Sequence, residues 1–174
     1  MERKGPAKGC SVQEMQNVKR ELNRQAQYAK KDHMRMFGVE EKKNEDCRQI
    51  VSEIISRKLK VKVLPTDLSA AHRVKKSKKQ QHRPIIIRFK DRTQRFEVLK
   101  NRKLLKGSGV SLAEDMTIEN MNLIKDAEDS GMFESAWFWN GKVLAKDKDK
   151  KTVYTLNLFD DFEEIVSQKE STDF

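Results

Sequence analysis

Cysteine, histidine, proline and glycine are all scarce here: two, three, three and seven in 174 residues. Each scarcity closes a route. Cys10 and Cys47 lie far apart in regions of different character, so the chain has no disulfide framework and reads as a cytosolic or nuclear protein with reduced thiols. His33, His72 and His82 are scattered, with no cysteine or carboxylate at metal-ligand spacing, which gives no metal site and no cofactor. The glycines form neither a phosphate-cradling loop nor a GxSxG elbow. Glu114-Asp115 and Asp160-Asp161 are paired acids, but both sit where helix starts are expected, and carboxylates are common there as caps. No nucleophile–base pair is visible, so the expectation is a non-enzyme with no catalytic residues. Apolar runs of membrane-spanning length and a signal-peptide pattern are also missing, so no membrane is expected as a partner.

What the chain has in excess is charge. Lys and Arg number 37 against 27 Asp and Glu, a net +10. Its distribution is uneven. Residues 72–106 hold 14 Lys or Arg and two acids, Asp91 and Glu97. Residues 107–174 hold seven basic residues and 15 acids. A cationic middle beside an acidic C-terminal third points to a polyanionic partner for the middle. A solvated lysine surface explains KKSKK at 75–79, but not arginines woven into an apolar strand.

Residues 1–31 read as a tail and a helix. Met15, Val18, Leu22, Gln25 and Ala29 follow a 3-4 spacing, either the end of a coiled coil or one amphipathic helix packed on its own domain. Residues 32–115 read as one domain. HMRMFGV (33–39) alternates as a strand, and Asn44 is placed to cap a helix carrying Cys47, Ile50, Val51, Ile54, Ile55 and Leu59. A short helical turn near Pro65 precedes a strand at 68–74. RPIIIRF (83–89) is an Ile-rich strand suited to a central position. Asp91 caps a helix to about residue 103, with Phe96 and Leu99 inward, and residues 110–115 form a fourth strand. Strand, helix, strand, strand, helix, strand is the ferredoxin-like, split-βαβ order. Residues 116–168 read as a small α+β unit, and 169–174 as a tail. Thr117 starts its helix. Asn140-Gly141 is the preferred type I′ pair for a hairpin. A strand at 152–158 and a short helix at 160–166 complete it. The fold class is α+β.

Period two decides which cations face out. In 83–89, Ile85, Ile87 and Phe89 share one side; Pro84, Ile86 and Arg88 share the other. In 33–39, Met34 and Met36 point in, leaving Arg35 and Phe37 out. Arg73, Arg83, Lys90, Arg92, Arg95 and Arg102 extend the surface. Arginine suits a polyanion because its planar fork pairs with phosphate and also stacks on bases.

At these residues the chain resembles the RNA-binding first-open-reading-frame proteins of LINE-type retrotransposons. The matching pieces run in order: ELNRQAQYAKKDHMRMFGV, AHRVKKSKKQQHRPIIIRF, RFEVLKNRKLLKG, VSLAEDMTIENMNLIKDAE and AWFWNGKVLAK, over roughly residues 18–158. The resemblance implies an RNA-recognition-motif domain at 32–115, followed by a small C-terminal domain. It implies a non-catalytic chaperone that holds single-stranded RNA, and single-stranded DNA too, in a cytoplasmic ribonucleoprotein. KKSKK reads either as an import signal, which would add the nucleus, or as a loop facing RNA. The resemblance implies roles on nucleic acid for Arg35, Arg83, Arg88, Arg102 and Lys103; Phe37, Arg73, Lys90 and Arg92 are expected to join them from their place on or beside the outward face. It also implies a homotrimer through a coiled coil, of which this chain carries about two heptads, as in a truncated or domesticated copy. Arg35, Pro84 and Ile86 occupy positions where RNA-recognition motifs carry stacking aromatics, which favours phosphate contact over base readout. The competing expectation is a protein–protein adaptor that uses the N-terminal helix and the acidic C-terminal unit.

Overall fold

The computed structural model describes residues 9–149 and 151–168. In chain order its elements are α1 (Val12–Ala29), β1 (His33–Phe37), α2 (Cys47–Lys58), β2 (Leu68–Arg73), β3 (Ile85–Phe89), α3 (Arg92–Asn101), β4 (Ser111–Glu114), α4 (Ile118–Asp129), β5 (Phe133–Trp139), β6 (Lys142–Asp147), β7 (Val153–Leu156) and α5 (Phe162–Gln168). Short 3-10 turns span Pro65–Asp67 and Arg102–Leu105. The fold is α+β with two antiparallel sheets. It divides into two compact units, one from Ala29 to Met116 and one joining the helix up to Tyr28 with the chain from Thr117 onward.

In the first unit the sheet order is β2-β3-β1-β4, so the isoleucine-rich β3 is central. Alternation sorts its side chains: Met34, Met36, Ile85 and Ile87 are fully buried and Phe89 nearly so. They meet Val51 and Ile55 of α2 and Val98 and Leu99 of α3, which are equally buried. Each such side chain contributes roughly 1.5–3 kcal/mol on burial. Helix α2 starts two residues later than its expected cap. Asn44 instead takes a left-handed conformation, φ 58°, which asparagine tolerates well. The Asp46 carboxylate then accepts the N–H groups of Arg48 and Gln49 and caps the helix. Asp91 caps α3 through the N–H of Gln94 at 2.7 Å.

Three expectations about facing are corrected. Pro84 was placed outward by extending the alternation, but it precedes β3 and its side chain is buried. Arg95, expected on the charged surface, is 5% exposed and donates to Glu114 at 2.9 Å. Glu114 lies opposite the inward Met34 in the sheet register. A carboxylate at that inward position requires a cation from the helix side. Phe96, expected inward, is half-buried, and Val98 takes the core position.

In the second unit the order is β5-β6-β7. Asn140 and Gly141 both have positive φ, 46° and 83°, as a type I′ turn requires. Phe138, Val143, Ala145, Tyr154 and Leu156 are buried on one side of this sheet, with Leu123 and Ala127 of α4. Thr117 caps α4 by accepting the Asn120 N–H at 3.2 Å. Helix α1, expected as a separate N-terminal segment, belongs to this unit through its polar side. The Gln27 amide oxygen accepts the Thr117 N–H at 3.0 Å and the Asn120 side-chain amide at 2.9 Å. Asn23 donates to Asn120 at 2.9 Å, and the Arg20 Nε donates to the Leu158 carbonyl at 2.6 Å. The 3-4 seam faces the other way: Met15, Val18 and Leu22 are 49%, 56% and 60% exposed. An amphipathic helix packed on its own domain would bury that seam. This one docks by hydrogen bonds and turns its apolar stripe to solvent.

Candidate nucleic-acid interface

The outward face of the four-stranded sheet is built from alternate residues of its strands. Arg35 lies between Ile86 of β3 and Ala113 of β4, His33 opposite Arg88, and Phe37 opposite Ser111. His72 of β2 continues the Arg35–Ile86 row. The middle of this face therefore holds Arg35, Ile86 and Arg88, with Arg88 exposed and Ile86 half-buried.

Arg35 is held by Asp115, just past β4. Its Nε donates to Oδ1 at 2.8 Å, while Lys30 Nζ donates to Oδ2 at 2.8 Å. Burial would raise the Asp115 carboxyl, but the hydrogen bonds from Lys30 and Arg35 override it and hold the carboxyl below its ordinary range. His33 shares this end of the face. Burial lowers its imidazole, as do the Arg88 and Lys30 charges, against the opposing pull of Asp115 and Asp32.

The other expected residues divide. Lys90 is exposed, and Arg92 is 65% exposed with its Nε 3.7 Å from Asp32. Arg83 is half-exposed and grips Glu41 with Nε, Nη2 and its backbone N–H at 2.9–3.0 Å. Those hydrogen bonds hold the Glu41 carboxyl down to about 2. The half-buried Arg102 and the exposed Lys103 line an open cleft with Lys106, the Gly107–Gly109 turn and Ser111. Since Ser111 stands opposite Phe37, this cleft borders the outward face. Arg73 does not belong to the surface. Its side chain is 5% exposed and bonds both oxygens of Glu45, at 2.7 and 3.0 Å, and the carbonyls of Val39, Glu40 and Arg83. It ties the ends of β2 and β3 to the loop before α2. With those bonds in place its guanidinium has little left to offer a phosphate.

The second unit adds residues missing from the expected set. On the outward side of β5 and β6, Trp137 lies opposite Leu144, and Trp139 opposite Lys142; Ser135 lies opposite Lys146. Both tryptophans are half-buried and Lys142 is exposed. Lys146 is paired with Glu134 at 2.6 Å. Tryptophan faces beside lysines suit base stacking and phosphate contact together. The signal was present in AWFW. Period two puts Trp137 and Trp139 on one side once Phe138 is the core residue.

Among the described residues, no group of three or more His, Cys, Asp or Glu is placed to hold a metal ion. No described helix is long and apolar enough to cross a membrane. No family model matches the chain, and a search of curated proteins returns no match.

Proposed function

We propose that this chain is a non-catalytic binder of single-stranded nucleic acid, RNA by preference, that acts as a chaperone within a ribonucleoprotein. The observation that carries the reading is the outward face of the four-stranded sheet: Arg35 and Arg88 on its two central strands, opposite the side that packs on α2 and α3, with Lys90, Arg92 and Lys103 exposed around it. The strand order β2-β3-β1-β4 with a helix after β1 and another after β3 supports a ferredoxin-like, RNA-recognition-motif domain. The resemblance to LINE first-open-reading-frame proteins supports the same assignment, in a cytoplasmic particle with nuclear access. The binding mode combines phosphate contacts on the first sheet with base stacking on Trp137 and Trp139 of the second. Little sequence specificity follows, because neither phosphates nor π-faces identify a base. Titration of labelled single-stranded RNA, single-stranded DNA and duplex DNA tests the reading. Tight binding of both single strands and weak binding of duplex is expected. Micromolar or weaker affinity for RNA at low salt overturns it.

A second reading is favoured by one specific observation, the solvent-facing seam of Met15, Val18 and Leu22 on α1. Such a seam suits a second copy of the helix or another protein's helix. A homo-oligomer is compatible with nucleic-acid binding, whereas an adaptor without such binding replaces it. Mass measurement with and without residues 1–28 separates them: an oligomer lost on truncation, in a chain that ignores RNA, favours the adaptor.

A further inference from the structure

Asp115 is an anion on a face read as binding anions. Simple charge counting makes it a liability, since a carboxylate beside the binding arginine repels phosphate. The geometry points to the opposite role: we propose that Asp115 is a positioning residue that presets Arg35 for phosphate, and that nucleic-acid binding depends on its charge. This rests on the nucleic-acid reading above.

Three observations carry it. First, Asp115 is itself out of reach of a ligand, with its side chain 3% exposed, whereas the side chain of Arg35 is 36% exposed. Second, the carboxylate is matched by two cations, one on each oxygen, both at 2.8 Å. The triad of Lys30, Arg35 and Asp115 is net positive, so an approaching phosphate meets a cation rather than a carboxylate. Third, Asp115 takes Arg35 by Nε, which leaves the Nη pair of the fork for a phosphate. The neighbours of Arg35 across the sheet are Ile86 and Ala113. Neither side chain offers a polar hold. Without Asp115 this arginine would be a mobile cation on an apolar strip, and its ordering would oppose binding.

The test is Asp115→Asn in a two-by-two set with Arg35→Ala, measured by RNA titration with thermal unfolding of each variant. Asparagine keeps one acceptor and turns an amide donor toward a cation, so one of the two holds is lost. Asp115→Asn is expected to weaken RNA binding by about fivefold to tenfold despite adding positive charge. In the Arg35→Ala background the same change is expected to have almost no effect on binding, because Asp115 acts through Arg35. A general loss of fold would weaken binding equally in both backgrounds and lower the melting temperature in step; that result overturns the proposal. Tighter binding by Asp115→Asn also overturns it, by showing that repulsion outweighs positioning. If Arg35→Ala weakens binding but Asp115→Asn does not, the inference fails while the nucleic-acid reading stands. If the wild-type chain does not bind RNA, both fail together.

Discussion

The four-stranded sheet turns Arg35, Ile86 and Arg88 outward from its two central strands, while the three-stranded sheet turns Trp137, Trp139 and Leu144 outward. Both sheets use the same alternation, and each leaves one aliphatic residue, Ile86 or Leu144, among its outward polar or amphipathic ones. The difference lies in which half of a nucleotide each outward set suits. Arginines on the first sheet answer phosphate charge, and their contribution falls with salt. Tryptophans on the second answer the π-face of a base, and stacking of that kind is much less sensitive to salt. An RNA-recognition motif ordinarily places both functions on one sheet. On the proposed reading the two functions are divided between the units: the mid-strand position of β1 holds Arg35 and that of β3 holds Ile86, leaving Phe37 at the end of β1 as that strand's outward aromatic, while β5 turns out two tryptophans.

Among the cations only those turned outward are expected to bind, so the buried Arg73 is the control and gives the largest expected effect. Arg73→Ala strips Glu45 of its partner, and breaking a buried pair costs about 3–5 kcal/mol. Chemical denaturation of this variant should show that loss of stability. A stable Arg73→Ala chain with weakened RNA affinity would return Arg73 to the binding surface and break the division.

Trp137→Ala and Trp139→Ala come next. Each should weaken RNA binding by roughly 1–3 kcal/mol, the scale of one stacked base, with the salt dependence unchanged. Quenching of tryptophan fluorescence by bound RNA provides a direct reading of the same contact. No quenching, together with unaltered affinity in both variants, would confine the interface to the first sheet.

Arg88→Ala should act in the complementary way. Its effect is smaller, a few-fold at moderate salt, uniform over sequences, with the log–log salt slope shallower by about 0.7 for one phosphate on a single strand. A large effect on one sequence alone would mean base readout by Arg88.

The smallest effect concerns pH. The folded state lowers the His33 pKa, chiefly by burial, so the protonated form is disfavoured in the fold. The stability linked to His33 is therefore present above its unfolded value of about 6.5 and is lost as pH falls below it. His33→Gln should remove the loss that sets in as pH falls below that unfolded value. Asp115 shifts down as well. Its contribution is present above about pH 4 and is lost as pH falls through its lower folded value. Unfolding curves across pH separate the two windows.

The strands of the first unit were legible because Met34 and Met36, and Ile85, Ile87 and Phe89, recur with period two; Arg35 and Arg88 fall between them, and only Ile86 breaks the polar alternation. The hairpin was legible because Asn140-Gly141 admits few other turns. Three features were hidden for physical reasons. The buried pair of Arg95 and Glu114 depends on which face of β4 meets α3, and no local pattern records that. Arg73 resembles every other arginine in its segment until Glu45, 28 residues earlier, folds against it. The polar docking of α1 runs against the usual rule that a helix packs by its apolar stripe. Asn23 and Gln27 gave no signal of meeting Asn120 and Thr117, 97 and 90 residues away.

The division between the sheets is tested most directly by one salt series of RNA affinity, run on the wild type, on Arg35→Ala/Arg88→Ala and on Trp137→Ala. With about five phosphates neutralised, the wild-type log–log slope should be near −3.5. The arginine double variant should be shallower by about 1.4, for two phosphates lost. The tryptophan variant should run parallel to the wild type at lower affinity. A flat wild-type slope, or arginine and tryptophan variants that change slope alike, would contradict the account.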